Sequence, residues 1–178
     1  MNHNHWRSAA ILVAGAILIS TSFGADKVRG AGAAGTEKVT FSYGWGLLKT
    51  DENRVRVGFT VQPLTPDLES KVKAEKSFFM GVDESVGPMI EVMLAFKEGA
   101  TTASLQNLDY YYIAFVNYKS GSMTVNLNPK SGDGKISSLS GDIKKGGIIK
   151  GVLKGGSVGM KETKFTWDLE FSTALRTP

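Results

Sequence analysis

The chain has no cysteine, and its two histidines, His3 and His5, both stand within the first five residues. The missing thiol excludes disulfides, a cysteine nucleophile and any thiolate-bound metal. If the N-terminal segment is cut off during export, histidine goes with it. A Ser-His-Asp triad and imidazole ligands are then excluded as well. Acid–base chemistry would fall to Asp, Glu, Lys or Tyr.

The carboxylate pairs do not point to such chemistry. Asp51-Glu52 and Asp83-Glu84 stand in polar turns, and Asp168 and Glu170 share the wet face of an alternating strand. Ser70-Lys71-Val72-Lys73 and Gly155-Gly156-Ser157-Val158-Gly159 have the spacings Ser-x-x-Lys and Gly-x-Ser-x-Gly, but spacing alone is a weak signal, and no strand-to-helix turn is expected at Ser157 to present a nucleophile. No enzyme, cofactor or metal site is expected. Asn128, Ser131 and Asp133 offer oxygen ligands for Ca²⁺, but their spacing is that of a turn, not of a calcium loop. No Asn-x-Ser/Thr sequon occurs.

Residues 1–24 read as a signal peptide. Arg7 supplies the positive region, Ala9 to Ile19 is apolar, and Ser22 and Gly24 are the small residues before a cut at Ala25. Ala31-Gly32-Ala33 offers a second, later cut. The apolar run is short for a membrane span, which needs about 20 residues. No cysteine follows either cut, so a lipoprotein anchor is excluded. The expected location is periplasmic or secreted, in soluble form. Residues 25–37, rich in Gly and Ala and without an apolar period, read as a flexible leader.

The remainder, 38–178, reads as one domain. At 178 residues in all, with 42% hydrophobic and 21% charged residues, the chain can build a core without staples. The dominant period is two. Val39, Phe41, Tyr43 and Trp45 alternate with small or polar residues, as do Val55–Val61, Ile90–Phe96 and Phe165–Phe171. Tyr110–Tyr118 is apolar on both faces and reads as a strand covered on both sides. Met123–Leu127 follows, and Ile136–Ile143 with Ile148–Leu153 reads as a hairpin. One segment differs. Thr65 before Pro66, with Asp67 and Glu69 in the first turn and Leu68 and Val72 at helical spacing, predicts a helix of about ten residues from Pro66. The fold class is therefore all-β, an antiparallel sandwich or small barrel of about eight strands with one short inserted helix.

Two features point outward from the core. The aromatic strands suggest a surface for an amphipathic ligand such as a lipid, a glycan or an apolar small molecule. Tyrosine joins a flat apolar ring to a polar tip. If Tyr110 and Tyr112 fill the core, Tyr111, Ile113 and Phe115 form an apolar stripe on the second face. With Tyr43 and Trp45 they are the expected ligand residues. The second feature is charge. The chain is +4 overall, and residues 130–164 carry eight Lys against Asp133, Asp142 and Glu162. Lys144, Lys145, Lys150 and Lys154 form an expected cationic surface, suited to an anionic envelope surface or to protecting a strand edge. Aromatics are absent among these lysines, which argues against nucleic acid. The expected function is a non-enzymatic binding module. The alternative is a structural or assembly protein of the envelope or matrix acting through strand edges.

Overall fold

A computed structural model describes residues 26–118, 121–127, 134–159 and 162–178. The expected signal peptide and the Asn128–Asp133 turn lie outside these residues. Among them, eleven strands and two helices follow in the order β1 (Lys27–Ala34), β2 (Glu37–Thr40), β3 (Tyr43–Lys49), β4 (Arg54–Thr60), α1 (Pro66–Glu75), α2 (Phe78–Gly81), β5 (Met89–Phe96), β6 (Thr102–Ser104), β7 (Leu108–Asn117), β8 (Ser122–Leu127), β9 (Lys135–Asp142), β10 (Ile148–Val158) and β11 (Lys164–Arg176). No described helix is long and apolar enough to cross a membrane.

The strands form one open sheet in the order β6-β9-β10-β11-β3-β4-β5-β7-β8, with β1 beside β11 and β2 beside β1. It is not closed, so the barrel alternative is set aside. Every pairing is antiparallel except a two-residue parallel contact, Leu175↔Gly46 and Arg176↔Leu47. That contact is the hinge of the architecture. The first part of β11 pairs with β10 and β1, and its tail pairs with β3. The sheet thus folds back on itself, and its two halves share a core.

The alternation seen in sequence builds that core. Val55, Val57 and Phe59 of β4, Ile90, Val92 and Leu94 of β5, and Ile113 and Phe115 of β7 meet Ile149 and Leu153 of β10 and Phe165, Trp167, Leu169 and Phe171 of β11. The rings meet edge to face or tilted, with Phe59–Phe171 centroids at 5.5 Å and Phe115–Phe165 at 5.0 Å.

The helices cover the opposite face of β3, β4, β5 and β7. There Trp45, Leu47 and Met89 pack with Leu68, Val72, Phe78, Val82 and Val86. Helix α1 starts and ends as its sequence dictates. The Thr65 hydroxyl accepts from Leu68 N–H at 3.3 Å, Pro66 occupies the first turn, and Lys76 closes the helix in left-handed conformation. Gly58 lets α2 sit directly on the sheet, since a Cβ there would lie 2.4 Å from the Phe78 ring.

Three expectations are corrected. The run Lys27–Ala34 is not a leader but strand β1, paired with β11 over its whole length. The run Val39–Trp45 is not one strand. The chain breaks after Thr40, so Val39 and Phe41 point into the shared core while Tyr43 and Trp45 stand on the helical side. The parity of β7 is also reversed. Ile113 and Phe115 are fully buried between the halves, and Tyr111 is partly buried against that core with its hydroxyl 3.5 Å from the Gly134 carbonyl oxygen. Tyr112 takes the helical side because its hydroxyl finds charged partners there.

Candidate binding site

Two of the five expected ligand residues come together. Tyr43 and Trp45 point the same way from β3 and line a pocket of about 180 Å³ beside the start of α1. Leu64, Pro63 and Phe78 add apolar wall, and Asp26, Glu69, Thr60 and Arg176 add polar groups. Tyr43 is 44% exposed and Trp45 only 6%. Trp45 is held firmly. Phe78 meets it edge-on at 5.4 Å, the Arg176 guanidinium lies 4.9 Å from its centroid and Lys73 Nζ lies 5.9 Å from it. Its indole N–H has no hydrogen-bond partner among the described residues. Arg176 is fixed in turn by an ion pair with Asp26, whose carboxylate also accepts from Thr173 Oγ1 at 2.5 Å and Ala174 N–H at 3.0 Å.

The pocket therefore has a packed Trp floor, an exposed Tyr rim and charged groups in its wall. A cavity of about 150 Å³ suffices for a benzene-sized ring. The geometry accommodates one six-membered ring rather than a whole lipid chain. Ile113, Phe115 and Tyr111 belong to the shared core and contribute nothing to this pocket.

The four expected cationic residues do not act as one cluster. Lys144 and Lys145 lie in the β9–β10 turn, with Lys144 3.2 Å from Asp142. Lys150 and Lys154 project from the outward face of β10, and Lys154 pairs with Asp168 at 2.6 Å. Lys150 lines a shallow cleft together with Lys27 and Arg29 of β1. Sequence reasoning missed those two cations because it treated their segment as a leader.

It also missed a buried polar cluster. Glu91 of β5 is 0% exposed. Its Oε2 accepts from Phe78 N–H at 2.6 Å, Phe79 N–H at 3.0 Å and Ser77 Oγ at 3.1 Å. Its Oε1 takes the Arg56 guanidinium and the Tyr112 hydroxyl. The carboxylate thus clamps the N-terminus of α2 to the sheet. Burial and the Glu91 charge push the Tyr112 phenol well above its ordinary pKa. Burial acts most strongly and against the Arg56 charge, but Glu91 and Tyr112 together outweigh it and hold the guanidinium above its usual value. The one available signal was Glu91 standing alone in an otherwise apolar run from Met89 to Phe96.

Comparison with protein-family models, with curated proteins and with solved structures finds no match for this chain.

Two further carboxylates have local partners. Glu52 is flanked by Lys49 and Arg54, and the hydrogen bond from Lys49 holds its pKa below the usual range. Asp83 accepts from the Ser85 hydroxyl and N–H, which lowers its pKa. No group of three or more His, Cys, Asp or Glu among the described residues is placed to hold a metal.

Proposed function

We propose that this chain is an exported, non-enzymatic binding module that takes one ring of an amphipathic ligand, a sugar or an apolar ring bearing polar groups, in the Tyr43–Trp45 pocket. The observation that supports the reading most is the pairing of an exposed Tyr43 with a braced Trp45 under a polar rim. An apolar floor with a few convergent polar groups is the usual form of a small-molecule site. The Asp26–Arg176 pair and Glu69 supply both acceptors and donors, which suits hydroxyl-bearing rings over pure hydrocarbon. The apolar stretch Ala9–Ile19 behind Arg7 supports export.

Titration of the purified chain with glucose, cyclohexanol and phenol, followed by two-dimensional NMR, tests the reading. The Trp45 indole N–H signal should shift with at least one probe, and Tyr43→Ala should abolish the shift while leaving the spectrum folded. If none of the three moves that signal, the pocket is a packing feature and the proposal fails.

One observation favours assembly through strand edges as a second reading. Strand β8 is at the end of the sheet, and Val125 on it is 49% exposed. Native mass spectrometry over a concentration series would show a ladder of oligomers if that edge is used.

A further inference from the structure

The helices cover one outer face of the folded sheet, and no described element covers the other. The register maps that uncovered face residue by residue. Across β9, β10, β11 and β1 the first row is Ser140, Lys150, Ser172 and Lys27, and the second is Ser138, Val152, Glu170 and Arg29. The third row, Lys135, Lys154, Asp168 and Ala31, reaches Thr40 of β2. The fourth row is Gly156, Thr166, Ala33 and Lys38, and Val158 with Lys164 closes the grid. Every one of these residues is exposed or half-buried.

The grid holds seven cations against two carboxylates, a net of +5. The whole chain is only +4, so all the rest of it sums to −1. Between the cations lie hydroxyls and very small side chains. Two shallow clefts cross the face. One, of about 400 Å³, is lined by Lys27, Arg29, Lys150, three serines and, among them, the Glu170 carboxylate. The other, of about 560 Å³, is floored by Ala31, Ala33, Gly155 and Thr166 beside Lys38 and the paired Lys154 and Asp168.

We propose that this face docks an acidic polysaccharide. Five strands at about 4.8 Å spacing give a surface about 19 Å wide, and Lys27 to Ala33 spans about 20 Å. That is room for several units of a linear polymer. Lysine and arginine answer its carboxylates or sulfates, the Ser and Thr hydroxyls answer its hydroxyls, and the Ala and Gly floor lies against its C–H faces. A membrane surface fits less well. The grid carries no aromatic and only two valines as large apolar groups, so nothing inserts, and a flat bilayer leaves the clefts unfilled. Nucleic acid lacks its stacking partners for the same reason. The site is separate from the Tyr43–Trp45 pocket and stands or falls independently of it.

Isothermal titration of the purified chain with alginate, with neutral dextran and with vesicles of equal phosphatidylcholine and phosphatidylglycerol tests the proposal. Alginate should bind, dextran should not, and the affinity should fall steeply with added salt. The variant Lys27→Ala/Arg29→Ala/Lys150→Ala should weaken alginate binding by about tenfold or more. Lys71→Ala/Lys76→Ala/Lys97→Ala removes as much charge elsewhere and should change it by less than about threefold. Equal loss in both variants would reduce the effect to net charge and overturn the proposal. So would vesicle binding without alginate binding, dextran binding as tightly as alginate, or no binding at all.

Discussion

Replacing Glu91 by Gln removes one charge from the centre of the helix–sheet junction while keeping the shape. The Oε2 side loses little geometrically, since an amide oxygen can still accept from Phe78 and Phe79 N–H. The Oε1 side changes sign. An amide NH₂ would face the Arg56 guanidinium, whose side chain is only 14% exposed and whose Nε already lacks a partner among the described residues. A hydrogen bond to a charged group contributes about 1.5–3 kcal/mol, and two are lost here, from Arg56 and from Tyr112. Breaking a buried ion pair by removing one partner costs about 3–5 kcal/mol. Both routes converge on a loss of about 3–5 kcal/mol, about a fifth or more of the stability typical of such a domain. Urea unfolding followed by far-UV circular dichroism measures it. The double variant Arg56→Met/Glu91→Gln should recover part of the loss, because it no longer buries a lone cation. A loss below about 1 kcal/mol in Glu91→Gln, or a double variant worse than the two single losses combined, would refute the account of Glu91 as the clamp.

Gly30 adopts φ +150°, and a Cβ there would lie 2.1 Å from the Asp168 carbonyl oxygen, so Gly30→Ala should cost at least about 1–3 kcal/mol and raise hydrogen exchange along β1. Thr65→Ala should cost about 1 kcal/mol by uncapping α1, read from the shift of the urea midpoint. Burial, aided by the charges of Glu91 and Asp83, pushes the Tyr118 pKa up to about 12, so the folded state favours the neutral phenol. Its contribution is complete below pH 10, where the unfolded phenol is also neutral, and is lost as the pH rises from about 10 to about 12, which absorbance titration and unfolding at high pH would show together. If the expected signal peptide is removed, intact mass should place the new N-terminus before Asp26 rather than after Ala33, because the later cut would delete strand β1.

Much of the fold was legible where contrast between apolar and polar residues is high. Phe165, Trp167, Leu169 and Phe171 are all buried as their alternation implies, and Pro66 after Thr65 marks the start of α1. Strand β1 was not legible because its inward residues are small. Gly32 and Ala34 produce no hydropathy period, yet a Cβ on Gly32 would lie 2.7 Å from the Thr166 carbonyl oxygen and 3.1 Å from Phe115. Smallness there answers close approach of β11, not a need for flexibility. The site suffered from the same limit of local reasoning. Alternation places Arg56 and Glu91 on a wet face, and only the docking of α2 turns that face into an interior. Lys27 and Arg29 join Lys150 only through pairing across the length of the chain.

That last pairing has a kinetic side. Asp26 and Thr173 are 147 residues apart and in direct contact, and the eight-residue ladder beside them ties strand β1 to β11. A chain growing from its N-terminus holds both partners only once β11 is made, so this pairing forms after nearly everything else. Contacts of such separation slow folding by demanding loop closure before they return any energy. A chain closed by its two ends therefore gains its shared core in one late step, after its last strand is complete.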